Sequence, residues 1–536
     1  MKSARSPNDV YLQYIQKLLP SIDADTLSKI TLILAETSWD NPNSSADWNN
    51  LAVVALIEAE QCNDNLVMRS VYLEMAFEAL NNALNIDGHP TCAAHLALIH
   101  SMIGEISTAT KIAFNTFINT LHLAYTNDEN YPNFLIYIFV NNKNISKDYQ
   151  KQIEIILRSD DIYQQALFLL SEIICRSQIA FYTTASRRML HLADRVLLNS
   201  VNVGLKLGIS SLINGQQEGI LYLHQARKLA PDYAPILQAL YLAYRDLNHI
   251  EVAAYWQEVS RKFYQPTSPS PEWHWTQLPE DSLFTYVPFE DNLIMAVEPS
   301  LRSIVTSVLI TEQDWFEKEI EFWRNSIKPG MTVIDVGANV GVYTFSAALK
   351  VGSEGRVLAV EPFSGCVRCL QETCRINQFS WVNVCAGAAS DRNGTVKLLL
   401  HPASEINQVI SSDASENMPS GSFEEVTCFT LDSLIEQEKI QKVDFLKIDA
   451  EGHEMAVLAG SYKLLTQLAP VILYENISGT QVSNIEVAQY LINIGYELFY
   501  YESYTQKLIS VNFTNDSNDF NEQLNFIAIP PQKAAI

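Results

Sequence analysis

The sequence predicts two folds in tandem. Residues 1–263 read as an all-α helical repeat region, 264–300 as a Pro/Trp-rich linker and lead-in, and 301–536 as a Rossmann-like α/β domain. Three observations carry this reading. As far as about residue 265, apolar side chains recur at intervals of three and four with almost no strand signal, which is the spacing of helix faces. From about residue 330, short apolar runs alternate with amphipathic helices, the pattern of a parallel sheet covered on both sides. At 333–341, VIDVGANVG carries a buried-strand run through a turn of small residues directly into the helical pattern VYTFSAALK.

The helical half contains LEMAFEALNNAL (73–84) and YLHQARKLAPD (222–232), and two of its stretches, 83–109 and 226–254, parallel each other. In each, a helix ends, a Pro-containing turn follows, and a second helix begins. Ala97, Gly104 and Ala109 stand at the spacing of the small residues of a tetratricopeptide repeat (TPR), Leu207, Gly208 and Gly215 recur in the same way, and Trp48, Leu51 and Ala52 resemble a repeat start. Tyr241 and Asn248 depart from that pattern, and no repeat aligns between 115 and 185. Such an array either offers a concave surface to a protein partner or serves only to stabilise or dimerise its neighbour. In the linker, YQPTSPSPEWHWTQLPED (264–281), proline stops the last helix and two tryptophans predict that the segment lies against a surface.

Composition narrows the function. The 36 Lys and Arg stand against 61 Asp and Glu, a net charge of −25 that repels phosphate backbones and anionic lipid, so nucleic acid is not expected as a partner. The N-terminus has no continuous apolar stretch of signal-peptide type. Apolar runs such as FLIYIFV (134–140) are too short to span a bilayer. A cytoplasmic protein is the expectation. The eight cysteines suggest no disulfide framework. Cys366, Cys369 and Cys374 cluster in CVRCLQETC, but no second Cys/His pair sits at a fitting distance, which favours ordinary helix thiols over a metal site.

A glycine turn between a strand and a helix lets backbone approach a ligand closely at the positive end of a helix. Glu361 follows Asp335 by 26 residues and ends the next β-like run, VLAVEP, where an acid accepts both hydroxyls of a ribose. A dinucleotide fingerprint requires glycine or alanine at position 342, which is Val342, and its middle glycine is replaced by Asn339. Asn tolerates left-handed angles, so the turn remains feasible with small or turn-forming residues at 337, 339 and 341.

That spacing resembles the first motif of class I S-adenosylmethionine-dependent methyltransferases. A second motif, VDFLKIDAEGHEM (443–455), completes a set with VIDVGANVG, VEP and TLDSL (430–434) that resembles the FkbM family of methyltransferases over roughly residues 280–536. The resemblance implies a class I methyltransferase fold closed by an antiparallel hairpin. It also implies S-adenosylmethionine as cofactor and a hydroxyl on a sugar, glycan or secondary metabolite as acceptor.

On that footing, Gly337, Ala338, Asn339 and Gly341 would lie against the amino acid portion of the cofactor. Asp335 would accept from its ammonium directly or through water, or else tie down the turn. Glu361 would hold the ribose, or cap a helix, with Pro362 fixing the strand exit. Ala388 and Ala389 would line the adenine pocket or simply pack. Asp449 and Glu451 are candidate bases, with Lys447 pairing with one of them and His453 as a relay. Alternatively these four form a salt-bridge network closing the loop, and Glu475 is a further candidate. No metal is expected. Competing readings are a non-catalytic repeat protein with a vestigial methyltransferase fold, and a nucleotide-dependent oxidoreductase.

Overall fold

The computed structural model describes residues 5–62, 65–123, 134–139, 147–159, 161–178, 183–198, 200–290, 293–410, 422–476, 484–511 and 523–533. It divides into two compact units, Met1–Pro231 and Asp232–Ile536. The described residues of the first unit form helices from Pro7–Leu18 to Gly219–Leu229 and no strand, most of the helices packing on a sequence neighbour. Local signals start them. Ser44 and Asp47 form a reciprocal capping box at the helix Ser45–Gln61, and Asp23 accepts from the Thr26 N–H at the helix Ala24–Glu36. Small residues bring two helices together: a Cβ on Gly219 would lie 2.4 Å from the Gly208 carbonyl, and one on Gly208 2.7 Å from Leu223. Within the stretch where no repeat aligns, Phe134–Phe139 belongs to no helix or strand, with its first five side chains buried. Among the described residues no helix is long and apolar enough to cross a membrane.

The second unit begins with the helices Ala234–Asp246 and Ile250–Arg261, which continue the helical pattern of the sequence. The linker folds onto them. Trp273 and Trp275 are buried in the turn Pro271–Gln277, and Gln257 donates to the carbonyls of Trp275 and Leu278. A hairpin of β1 (Thr285–Phe289) and β2 (Leu293–Val297) follows. Next come β3 (Thr332–Val336), β4 (Arg356–Glu361), β5 (Val382–Ala386), β6 (Ala388–Ala389), β7 (Gly394–Leu399), β8 (Gln408–Ile410), β9 (Phe423–Phe429), β10 (Phe445–Ile448), β11 (Val471–Glu475), β12 (Glu497–Glu502), β13 (Lys507–Ser510) and β14 (Asn525–Ile529).

The main sheet has the order β13-β12-β14-β11-β10-β3-β4-β5. Neighbours from β11 to β5 are parallel, whereas β14 runs antiparallel to both β11 and β12. This is the class I methyltransferase arrangement, with β12 and β14 as the antiparallel closure. Apolar runs such as VIDV and FLKI are buried throughout because helices cover both faces of the parallel part. Strand order reverses between β3 and β10, and ligands bind at the carboxyl ends of strands at such a switch point.

Three features were not anticipated. A further strand, β13, extends the sheet beyond β12. VNVCAGAA is split into β5 and β6 at Gly387, whose φ is 149° and where a Cβ would lie 2.7 Å from the Thr427 carbonyl, so a side chain is disfavoured. The insert after it forms a second sheet of order β6-β9-β7-β8. Residues 411–421 of the insert, and 512–522 of the polar loop expected at 511–524, lie outside the described residues.

Candidate functional site

The turn after β3 is built on three consecutive requirements for left-handed backbone. Gly337, Asn339 and Gly341 have φ of 74°, 49° and 104°. A Cβ on Gly337 would stand 1.7 Å from the Asp449 carbonyl, so glycine is what lets the loops after β3 and β10 touch. The N–H groups of the turn are already used. Gly337 and Ala338 donate to the Val360 carbonyl, Asn339 to Glu361 Oε2 (2.8 Å), Val340 to Asn339 Oδ1 and Gly341 to the Ala338 carbonyl. The turn therefore presents a close backbone surface to a ligand, with its own donors spent on holding its shape.

Glu361, at the end of β4, is tied at both oxygens. Besides the Asn339 N–H it accepts from the Phe363 N–H at 2.8 Å, across Pro362. Burial pushes its carboxyl up to about 7. The two N–H groups oppose that shift, and Asp335 and Asp449 add to it. Asn339 is clamped from its other end. Its Nδ2 donates to Ser404 Oγ at 3.3 Å, and Ser404 donates to Glu298 from the lead-in. Cys366, whose thiol is raised by burial, points at the same hydroxyl (3.6 Å). All eight cysteines are free.

Asp335 and Lys447 are register partners on β3 and β10. Asp335 is buried; its Oδ2 accepts from Thr344 Oγ1 at 2.6 Å, and its Oδ1 has no hydrogen-bond partner among the described residues. Burial raises its carboxyl and Lys447 pulls it down. The Lys447 ammonium, also buried, donates to Asp449 Oδ2 at 2.6 Å and sits 4.6 Å above the Tyr343 ring. Burial alone would lower its pKa, but Asp449, Asp335 and Glu317 together raise it. Glu317, just before the helix Glu319–Ser326, accepts from the Tyr343 hydroxyl at 2.7 Å and from Asn525 at 3.2 Å.

Beyond this pair stands a trio of carboxylates. Asp449, Glu451 and Glu475 each bring an oxygen to within 4.8 Å of the others, an all-oxygen set of the kind that suits a hard divalent cation. Burial, then the neighbouring Asp449, Glu451 and Glu454, drives the Glu475 carboxyl far above its ordinary range. Glu454 pins the loop instead, accepting from the Ala450 and Gly452 N–H groups and from Asn484.

The structure thus gathers Asp335, the 337–341 turn, Glu361, Lys447, Asp449, Glu451 and Glu475 at the ends of β3, β4, β10 and β11. Two other candidates face elsewhere. His453 Nε2 meets Ser390 Oγ at 3.0 Å, and burial lowers its pKa. Ala388 is buried with Val396 and Cys428 in the small sheet. Glu298, Glu317, Tyr343, Thr344 and Ser404 escaped the sequence reading. Thr344 and Tyr343 were legible in principle, on the first turn of the helix after the glycine turn; Glu298 and Ser404 carry no local signal.

Topology and site together define a class I methyltransferase fold. The family model described as Methyltransferase FkbM domain matches residues 335–498, which places the glycine turn, Glu361 and the 443–455 motif within one such domain. No curated protein matches the chain by sequence. Among solved structures the chain is similar to methyltransferase FkbM from Methylobacillus flagellatus KT (13% identity over 43% of this chain and 54% of that chain, TM-score 0.27). It is also similar to a SAM-dependent methyltransferase from Aquifex aeolicus (16%, 40% and 88%, TM-score 0.23). A third is the O-methyltransferase from Bacillus cereus in complex with SAH (16%, 40% and 81%, TM-score 0.24). The chain spans about half the length of the first of these.

Proposed function

We propose that the second unit, with residues 301–536 as its catalytic domain, is an S-adenosylmethionine-dependent O-methyltransferase. Its acceptor would be a hydroxyl on a sugar, glycan or secondary metabolite. The observation that carries this reading is the meeting, at one switch point, of a glycine-dependent turn, an anchored ribose-type acid and a buried lysine–aspartate pair. The residues fit the cofactor: Asp335 keeps a buried oxygen without a hydrogen-bond partner among the described residues, and Glu361 is held by two N–H groups that leave lone pairs for a diol. Asp335 would meet the ammonium, the 337–341 turn the amino acid portion, and Glu361 the ribose. S-adenosylmethionine, when bound, supplies a methyl carbon made electrophilic by its sulfonium.

In this reading Asp449 receives the acceptor hydroxyl proton. Lys447 orients it at 2.6 Å, and Tyr343 and Glu317 hold Lys447. Glu451 and Glu475 border the acceptor. A second reading rests on the carboxylate trio, where a divalent cation would bind the acceptor oxygen. The metal-free reading is preferred because Lys447 already balances Asp449. The helical half, residues 1–263, would serve as a TPR-like domain for a protein partner.

Calorimetric titration with S-adenosylhomocysteine, in parallel with NAD and with Glu361→Ala, tests the cofactor. Hydrogen bonds to a charged group contribute about 1.5–3 kcal/mol, so the variant should bind roughly 10- to 150-fold more weakly. Binding by a folded chain to NAD alone would select the oxidoreductase. Binding to neither ligand would mean a vestigial fold.

A further inference from the structure

The first unit holds one stretch of chain in an unusual way. Phe134–Phe139 belongs to no helix or strand, and the side chains from Phe134 to Ile138 are each less than 5% exposed. Among the described residues its backbone has no ladder partner. Side chains from three helices bind it instead. Asn50 Oδ1 accepts from the Leu135 N–H (2.7 Å), and Asn49 Nδ2 donates to the Leu135 carbonyl (2.9 Å). The Tyr11 hydroxyl donates to the Ile136 carbonyl (3.0 Å), and His95 Nε2 accepts from the Tyr137 N–H (3.0 Å). The Tyr14 hydroxyl accepts from the Ile138 N–H and donates to its carbonyl (2.8 and 2.9 Å).

These groups are oriented from behind. Burial holds the His95 pKa down at about 3, so the ring is neutral; because Nε2 accepts, the proton sits on Nδ1 and is donated to Asn49 Oδ1 at 2.7 Å. That fixes the Asn49 amide with its nitrogen toward Leu135. Asn50 is fixed likewise, by donating to Thr37 Oγ1 at 2.9 Å. Side-chain pockets complete the site. Phe134 stacks on His89 with centroids 3.9 Å apart, Tyr137 lies 5.4 Å from Tyr14, and the Arg176 guanidinium covers Phe139 at 4.0 Å.

Asn49, Asn50 and His95 are fully buried, and an ordinary helical core would avoid the cost of such groups. Here each is spent on main-chain atoms. Backbone capture with side-chain pockets is how proteins bind extended peptides. We infer that the helical unit is a receptor groove for an extended apolar peptide with aromatic residues at its first, fourth and sixth positions. Residues 134–139 fill the groove in cis as a ligand that such a peptide from a partner displaces. This goes beyond the methyltransferase reading and does not depend on it.

The test uses the full chain and a labelled peptide, FLIYIF flanked by lysines. Tyr137→Asp weakens the cis ligand and leaves the helix-borne clamps intact. Fluorescence anisotropy should show saturable binding at least tenfold tighter to this variant than to the unaltered chain. Replacing the peptide tyrosine by proline, which removes the N–H that meets His95, should weaken binding tenfold or more. A helical variant that does not bind the peptide, or that binds the proline form equally well, overturns the proposal. So does a variant that loses its helices, because the segment is then an integral core element. Hydrogen exchange on the unaltered chain gives an independent answer. The Leu135, Tyr137 and Ile138 amides should exchange faster than those at the centres of the helices Ser45–Gln61 and Pro90–Met102; exchange only together with those helices refutes the inference.

Discussion

Lys447 and Asp335 stand opposite each other in the β3–β10 register, and two residues beyond Lys447 the carboxylate of Asp449 takes its ammonium at 2.6 Å. One buried cation therefore serves two carboxylates that the sequence places more than a hundred residues apart.

Removing that cation strands Asp335. Breaking a buried pair from one side costs about 3–5 kcal/mol, so Lys447→Met should lower unfolding free energy by about that amount in urea titrations. Lys447→Met combined with Asp335→Asn should recover most of the loss. Strictly additive losses would show that the two side chains do not interact.

Glu361 makes stability depend on pH. Its carboxyl lies at about 7 in the folded chain against an ordinary 4.5, so the folded state retains the proton longer. Its contribution is fully present below 4.5 and is lost as pH rises through 7. Glu361→Gln removes that loss. The variant should gain on the unaltered chain by up to about 3 kcal/mol between pH 4.5 and 8, and a gap that stays flat would refute the buried, raised carboxyl.

Glycines at 337 and 452 separate strain from collision. Both have left-handed φ (74° and 91°), but a Cβ at 452 meets open space. Gly452→Ala should cost about 1–2 kcal/mol. Gly337→Ala should cost more in thermal unfolding and should abolish S-adenosylhomocysteine binding, because the β3 and β10 loops must part.

Ser404 is expected to act through Asn339. Ser404→Ala removes the hydrogen bond from Asn339 together with those to Glu298 and from Cys366. Loss of the Asn339 contact should weaken cofactor binding roughly 2- to 13-fold, the equivalent of about 0.5–1.5 kcal/mol. Because Glu298 loses its donor as well, the melting temperature of the ligand-free chain should also fall, and Ser404→Thr should restore both affinity and stability.

The candidate base Asp449 and the candidate relay His453 make different kinetic predictions. Once an acceptor is in hand, Asp449→Asn should lower kcat by about 10²–10⁴-fold. His453→Gln should leave kcat nearly unchanged, because its Nε2 is engaged by Ser390. Equal losses in the two variants would restore His453 to the proton path.

Much of the site was legible because its signals are local. A glycine-rich turn, an acid at the end of the following strand and the KIDAEG run each announce themselves within a few residues, through backbone freedom and strand-to-helix alternation. Glu298, Glu317 and Ser404 gave no such signal, since each acts on a partner tens of residues away. The small sheet was hidden for a related reason. Its strands alternate weakly and pair across an insert, so only their mutual packing reveals them.

The sequence alone determined the strand–helix alternation of the parallel core, the turn that only glycine or asparagine can make, and the acid at 361, because these depend on neighbours in the chain. Tertiary structure alone decided that Lys447 sits between Asp335 and Asp449 and that Glu475 joins Asp449 and Glu451. It also decided that a short apolar run at 134–139 is gripped by asparagines, a histidine and tyrosines. Those pairings follow from strand order and helix packing, which bring distant residues together by burying apolar surface and leave no trace in local periodicity.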